Sequence, residues 1–456
     1  VPNEYDKMIS SIGAKGTNAY TSSERTVYIN EIPSNEFEKW LSIEAERFSE
    51  LVLRLFHTEL EAVYEEYNRG QDNDYRLAYE ALSAKLFKKH TYGTQTTIGT
   101  GEHLKNPSME KIHKYFNDWY VPNNMAIILS GDIDPDKSVD LIRQYFGSLK
   151  AKDIPIFEAA VEDEITEPEF VTVTGTNTAW INIGYRLPGI NCEDIYMLDL
   201  FDGLLNNGQA GLIDLNLIKG QKVLDAYCYG DVMKDYSVFE LEGVPREGQS
   251  LDEVKDLLLA EIEKIKSGDF EDWMLKAVIK NFKLREQESL LYNRVRASIM
   301  TDAFILGQKW SDIVNTKEKL NKVSKQDIVD FANKYFKNNY VVVYKENGER
   351  NSPKVEKPEI TQVQLNRDTA SLFAKNFYSN VSSRLTPIYD DYSKEIIKDS
   401  LDSGVHLYYV KNKSNETFSL NYILEMGSFS DKELAIAVEY LEYLGTDKYS
   451  ANCLLY

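Results

Sequence analysis

The sequence is short of cysteine, histidine, long apolar runs and positive charge. Its three cysteines, Cys192, Cys228 and Cys453, lie far apart and form no CxxC. That excludes a thiolate zinc site and a dense disulfide framework. The five histidines, His57, His90, His103, His113 and His406, form no HxxH, HExxH or HxxEH. No local pair supplies two imidazoles to a metal, so each His alone reads as structural. No apolar run approaches the ~18 residues of a membrane helix. Lys plus Arg number 52 against 73 Asp plus Glu, a net charge of −21. A nucleic-acid backbone needs a basic surface, so that partner is disfavoured and a cationic one suits better. GxSxG, GxxxxGK[ST] and GxGxxG are absent, which removes the nucleophile elbow, the P-loop and the dinucleotide fingerprint.

What is present reads as a soluble globular chain. Apolar residues make up 43% and charged residues 27%, enough apolar content to build cores. The 456 residues correspond to about three domains at ~150 residues each. The opening Val1-Pro2-Asn3 carries no Met, and the end at Tyr456 follows closely on a helical run. The expectation is therefore a piece of a longer protein.

Periodicity predicts helices over 3–12, 34–49, 53–68, 72–86, 108–119 and 136–145 in the first part of the chain. Strands are expected over 18–21 and 26–30, joined by a Ser-Ser-Glu-Arg turn, and over 125–130. Further on, strands are expected near 170–174, 179–186, 222–229, 237–242 and 340–344. Helices are expected over 192–205, 251–267, 269–307 (broken) and 324–335. Residues 347–364 are charged, contain Pro353 and Pro358, and read as a linker. Beyond it, 405–410 and 417–424 read as strands and 431–444 as a helix.

An internal repeat bears on the fold. Ser108, Ile112, Tyr115, Asn117, Trp119 and Asn123 recur, 216 positions on, as Ser324, Ile328, Phe331, Asn333, Tyr335 and Asn339. Residues 178–205 also align without gaps to 417–444, at an offset of 239. The fold class expected is α+β, built of repeated α/β modules in which long helices pack on mixed, mostly antiparallel sheets. The divisions are 1–150, 166–346, a linker at 347–370, and the start of a third module at 371–456.

One helix carries a chemical pattern. Glu59 and Glu66 are seven residues apart, about 20° on a helical wheel, so their carboxylates share a face with Val63 between them. Such a pair can serve as a hard ligand and its orienting neighbour. On spacing alone, a solvated acidic helix face accounts for it better.

Taken in order, several motifs then resemble a known family. Gly13-Ala14, Asn18-Ala19-Tyr20-Thr21 and Thr26-x-Tyr28 come first. Glu59-x6-Glu66, His90-x-Tyr92-Gly93, Pro122-Asn123-Asn124 and Ser130-Gly131-Asp132 follow. The run is similar to the pitrilysin/insulinase family of zinc metallopeptidases. The resemblance implies a bilobal clamshell of paired α/β domains that cleaves peptides in an enclosed chamber. This chain would be one lobe plus the start of a second. It also implies a Zn²⁺ held by the two His of an HxxEH motif, with the Glu of that motif as general base. Glu66 falls on the third ligand and Glu59 on the carboxylate beside it, which assigns Glu59 a catalytic supporting role. Asn18, Ala19, Tyr20 and Thr21 fall on the edge strand that pairs with extended peptide substrates, cationic ones by the charge balance. An interior strand is the other reading of that segment.

The HxxEH motif of the resemblance is not in this sequence. The expected chain is therefore an incomplete, inactive part of a zinc endopeptidase. The alternative is a non-catalytic relative acting as a peptide-binding or partner subunit. The missing lobe would come from the same chain or from a partner.

Overall fold

The computed structural model describes residues 3–53, 55–208, 210–350, 355, 364 and 369–449. The chain starts with a short helix, α1 (Glu4–Ser11), and a hairpin of β1 (Gly16–Thr21) and β2 (Thr26–Glu31). Helices α2 (Phe37–Ser49), α3 (Phe56–Gln71) and α4 (Asp74–Leu86) follow, then two short turns of helix, α5 (Thr91–Thr94) and α6 (Gly101–Lys105). Helices α7 (Met109–Trp119) and α8 (Pro135–Phe146) close the first stretch. Side-chain caps fix several starts: Asn73, Ser108 and Asp134 each accept a backbone N–H of the first turn.

A five-stranded sheet dominates the middle of the chain. Its strands are β3 (Glu169–Gly175), β4 (Trp180–Pro188), β5 (Asp225–Val232), β6 (Tyr236–Val244) and β7 (Tyr340–Asn347). They lie in the order β3-β7-β4-β6-β5. Only β3 and β7 pair in parallel, and every other neighbour is antiparallel. The helices between these strands are α9 (Met197–Leu205), α10 (Leu251–Ser267), α11 (Asp272–Ser289), α12 (Asn293–Ile305), α13 (Trp310–Leu320) and α14 (Lys325–Tyr335). The last stretch holds α15 (Leu372–Ser379), α16 (Tyr392–Glu395), a small hairpin of β8 (Ile397–Ser400) and β9 (His406–Tyr409), and α17 (Glu433–Tyr440).

Strand alternation decides which helices cover which face. Ile181, Ile183 and Tyr185 of β4 and Phe239 and Leu241 of β6 point to one side. There they join Phe201 of α9, Leu258 of α10 and Phe331 of α14 in the largest core. On the other side Trp180, Val238, Val341 and Val343 meet Ala78, Leu82 and Leu86 of α4. A helix from the first stretch thus lies across β3, β7 and β4. Gly175 makes this possible at one end, because a Cβ there would lie 2.0 Å from Asp74 Oδ1.

The mixed, mostly antiparallel sheet with long helices agrees with the α+β expectation. The 216-residue repeat is structural as well: α7 and α14 each have 11 residues and a capping serine, Ser108 and Ser324. Two local expectations fail, and one helix lies where the sequence reading places no element. Residues 125–130 form no ladder, where the repeat predicts a strand like β7. β7 is a strand because β3 and β4 flank it, and among the described residues no partner flanks 125–130. Residues 417–424 likewise form no strand. Phe418 and Tyr422 there are 87% and 86% exposed, so no packed face holds them in register. Helix α13 was not anticipated, because its apolar stripe is sparse. Most of the linker read at 347–370, like Cys453, falls outside the described residues.

Candidate functional site

The hairpin carries four of the six predicted site residues. Among the described residues β1 pairs with β2 alone, in a register that sets Asn18 opposite Ile29, Ala19 opposite Tyr28, Tyr20 opposite Val27 and Thr21 opposite Thr26. At the turn the Ser22 N–H donates to the Arg25 carbonyl at 2.9 Å. Hydrogen-bonded pairs alternate along an antiparallel ladder. Asn18 and Tyr20 therefore turn their backbone groups toward β2. Thr17, Ala19 and Thr21 turn theirs to the open edge.

All six residues of β1 are exposed. The Ala19 N–H is held by its neighbour's side chain, Asn18 Oδ1, at 3.0 Å. That bond gives the outward donor a local partner that an incoming carbonyl can replace. The face carrying Ala19 also carries Tyr28 and Asn30, which rest on an aromatic support. The Arg47 guanidinium lies over the Tyr5, Tyr28 and Phe48 rings at 4.7, 4.3 and 4.7 Å. Tyr5 OH donates to Glu44 at 2.8 Å, and the Tyr28 and Tyr120 hydroxyls meet at 3.1 Å.

The hairpin tip is clamped. Glu24 accepts from Tyr92 OH and from the Lys234 N–H, the latter at 2.9 Å. Arg25 pairs with Asp302 of α12. Burial foremost, then the hydrogen bond to Glu24, holds the Tyr92 phenol far above its ordinary pKa, so it stays a donor. Beneath it His90 is fully buried. Its Nδ1 accepts from the Tyr92 N–H at 3.2 Å, and its Nε2 faces Asp235 at 3.3 Å. A Cβ on Gly93 would lie 2.2 Å from the Ser83 carbonyl, so His90-x-Tyr92-Gly93 is a tightly packed bracket. The structural reading of His90 fits this arrangement. Glu24 and Arg25 were not singled out from sequence, because a turn of Ser-Ser-Glu-Arg reads as solvent-facing.

The other two predicted residues lie on α3. Leu60 and Tyr64 are the buried side of that helix, and Tyr64 OH donates to the Leu104 carbonyl at 2.6 Å. Glu59 and Glu66 stand on the exposed side, with no hydrogen bond or ion pair among the described residues. α3 packs on α4 and α6, whereas the hairpin meets α1. No hydrogen bond among the described residues joins Glu59 or Glu66 to Asn18, Ala19, Tyr20 or Thr21.

A zinc centre needs three or four convergent protein ligands. Among the described residues no group of three His, Cys, Asp or Glu side chains converges in that way. These residues do not form a zinc site by themselves. Glu66 offers one exposed carboxylate, and Glu59 a second on the same helical face.

Comparison with known proteins identifies the framework. The family model described as insulinase (peptidase family M16) matches residues 2–100, and the one described as peptidase M16 inactive domain matches 108–282. The zinc protease PqqE of Helicobacter pylori is 23% identical over 346 residues, covering 73% of this chain and 76% of that protein. The crystal structure of a protease from Helicobacter pylori superposes with a TM-score of 0.70 at 23% identity, over 75% of this chain and 84% of that one. The periplasmic protease PqqL of Escherichia coli gives a TM-score of 0.64 at 16% identity, over 99% of this chain but only 54% of that one. The model matches run from residue 2 to 282 and are consecutive, and the fold matches nearly end to end. The chain belongs to the pitrilysin/insulinase family of M16 peptidases.

Proposed function

We propose that this chain is the peptide-binding and metal-supporting part of a zinc metalloendopeptidase that cleaves peptides or small unfolded polypeptides inside an enclosed chamber. The observation that carries this reading is the open edge of β1, with the backbone groups of Ala19 and Thr21 directed outward. An open strand edge binds extended peptides through main-chain hydrogen bonds, whatever their sequence. The small Ala19 side chain leaves room for a second backbone. The net charge of −21 favours cationic peptides, with a preference that weakens as salt rises.

In this reading Glu66 is one zinc ligand, and Glu59 orients a ligand or water without binding the metal. Two histidines and a general-base Glu come from outside the sequence described above. The domains divide as 1–150, 166–346 and 371–456, joined through 347–370. A second lobe, in the same polypeptide or a partner subunit, closes the chamber. The match of residues 108–282 to the peptidase M16 inactive domain supports a second reading, a non-catalytic relative that binds peptides as a partner subunit.

Zinc content and cleavage of a quenched fluorescent peptide by the full-length protein test the choice. The catalytic reading expects Glu66→Gln to strip zinc and abolish cleavage. It expects Glu59→Gln to keep zinc and lower kcat by roughly one to two orders of magnitude. Stoichiometric zinc in the Glu66→Gln protein sinks the ligand assignment. Peptide binding with neither zinc nor cleavage in the wild type supports the second reading.

A further inference from the structure

On the sheet face shared with α4, strands β6 and β5 carry a polar patch. Glu240 and Glu242 of β6 are only 3% and 5% exposed, yet among the described residues neither forms an ion pair. Asn182 of β4, opposite Glu242 in register, is 6% exposed. Its Nδ2 donates to Glu240 Oε2 at 2.7 Å, and its Oδ1 has no hydrogen-bond partner. Tyr227 and Tyr229 of β5 lie opposite Glu242 and Glu240 and donate to them. Tyr75 and Tyr79 of α4 stand over the patch, 54% and 51% exposed.

Three features of the patch bear on what it could bind. Among the described residues two buried carboxylates form no ion pair, and a buried carbonyl oxygen beside them accepts no hydrogen bond. Nine-tenths-buried polar groups left in this way are costly. The rim is built of tyrosine rings, whose faces attract cations. We propose that Glu240, Glu242 and Asn182 form a pocket for the guanidinium or ammonium group of a basic side chain on a bound peptide. The two carboxylates supply charge, Asn182 Oδ1 accepts a further N–H, and the tyrosines shield the aliphatic stem.

Burial dominates the electrostatics of both carboxyls. Burial foremost pushes the Glu242 carboxyl up to about 7. The Tyr227 hydrogen bond opposes this, and Glu240 and Asp225 add to it. Burial also raises Glu240, against its hydrogen bonds from Asn182 and Tyr229. The patch adjoins the hairpin tip: Glu24 accepts the N–H of Lys234 between β5 and β6, and Asp231 follows Tyr227 and Tyr229 on the same face of β5. In the peptide-binding reading, a peptide on β1 that runs on toward the tip would bring a side chain to this face. The inference rests on the peptide-binding reading above and not on zinc or turnover.

The test uses two peptides, acetyl-Gly-Gly-Arg-Gly-Gly-amide and its citrulline counterpart, which differ in charge and scarcely in shape. Binding to the full-length protein is measured by calorimetry at low salt. The arginine peptide should bind at least about tenfold more tightly, as a charged, hydrogen-bonded pair requires. In the Glu240→Gln/Glu242→Gln protein that advantage should vanish while the citrulline peptide binds unchanged. Should the double variant fail to fold, Glu242→Gln alone is read in the same way. Equal binding of both peptides to the wild type overturns the pocket and leaves backbone recognition standing. An arginine advantage that survives the substitutions overturns it too. If neither peptide binds, the peptide-binding reading falls and the pocket with it.

Discussion

Lys345→Met should be among the most destabilising single changes in this protein. Lys345 sits on β7 with its side chain fully buried, and its Nζ lies 2.9 Å from Asp74 Oδ2. It also donates to the carbonyls of Asn177 and Thr178, the latter at 3.1 Å, and lies over the Trp180 ring at 4.7 Å. Asp74 is the first residue of α4 and accepts the Asn177 N–H at 2.8 Å. The pair therefore pins the start of α4 to the far face of the sheet. Methionine fills the space but leaves a buried carboxylate and two carbonyls without their donor. Breaking a buried pair from one side costs about 3–5 kcal/mol. Burial works to raise the Asp74 carboxyl, but the Lys345 and Asn177 hydrogen bonds overcome it and hold the group below its ordinary value. A depressed carboxylate contributes stability above the unfolded pKa of about 3.9, and that stability is lost as pH falls through the folded value. The assay is urea unfolding of wild type, Lys345→Met, Asp74→Asn and the double variant at pH 7, with hydrogen exchange across α4. The double variant should lose less than the sum of the singles by about 1–3 kcal/mol. Strict additivity, or a loss below about 1 kcal/mol for Lys345→Met, refutes the reasoning.

Glu24→Ala removes the acceptor for Tyr92 OH and the Lys234 N–H, so hydrogen exchange across β1 and β2 should quicken and peptide affinity should fall several-fold. Unchanged exchange in the hairpin would mean the tip contact does not hold it. Asp202 offers a pH test. Burial foremost lifts its carboxyl to about 6, the Cys228 thiol opposes this, and Asp199 adds to it. A carboxyl raised in the fold contributes stability that is fully present below the unfolded pKa and lost as pH rises through about 6. Asp202→Asn should therefore stabilise by about 1–2 kcal/mol at pH 7.5 and leave pH 4 unchanged. Equal effects at the two pH values, read by urea unfolding, would contradict it.

Much of the architecture is visible in local pattern because alternation and capping are local. β3 to β7 each follow an apolar alternation or run, and Ser108 and Ser324 announce α7 and α14. Residues 125–130 read as a strand but form none, because a strand exists only through its partners, and pairing is not written in six residues. The site is legible in halves. Asn18 to Thr21 read as a strand, but which of them face outward follows from the Ser22–Arg25 turn bond. Glu59 and Glu66 read as one helical face, and α3 places them on its exposed side. The Glu240–Glu242 patch escaped because Phe239-Glu240-Leu241-Glu242 reads as a half-solvated strand. Tyr75 and Tyr79, which lie near it, come from α4, more than 160 positions away in sequence.

The account stands most directly on β1 as a peptide-pairing edge, and proline substitution along that strand tests it. Proline deletes one backbone donor and is tolerated at sheet edges where that donor faces outward. Ala19→Pro and Thr21→Pro each remove an outward N–H and should weaken binding of an extended peptide about tenfold, with melting curves near wild type. Tyr20→Pro removes an inward N–H and should instead disrupt the hairpin. Calorimetric peptide affinities for the three proteins, measured beside their melting curves, decide the matter. Wild-type affinity in both Ala19→Pro and Thr21→Pro, in folded protein, would contradict the edge-strand account.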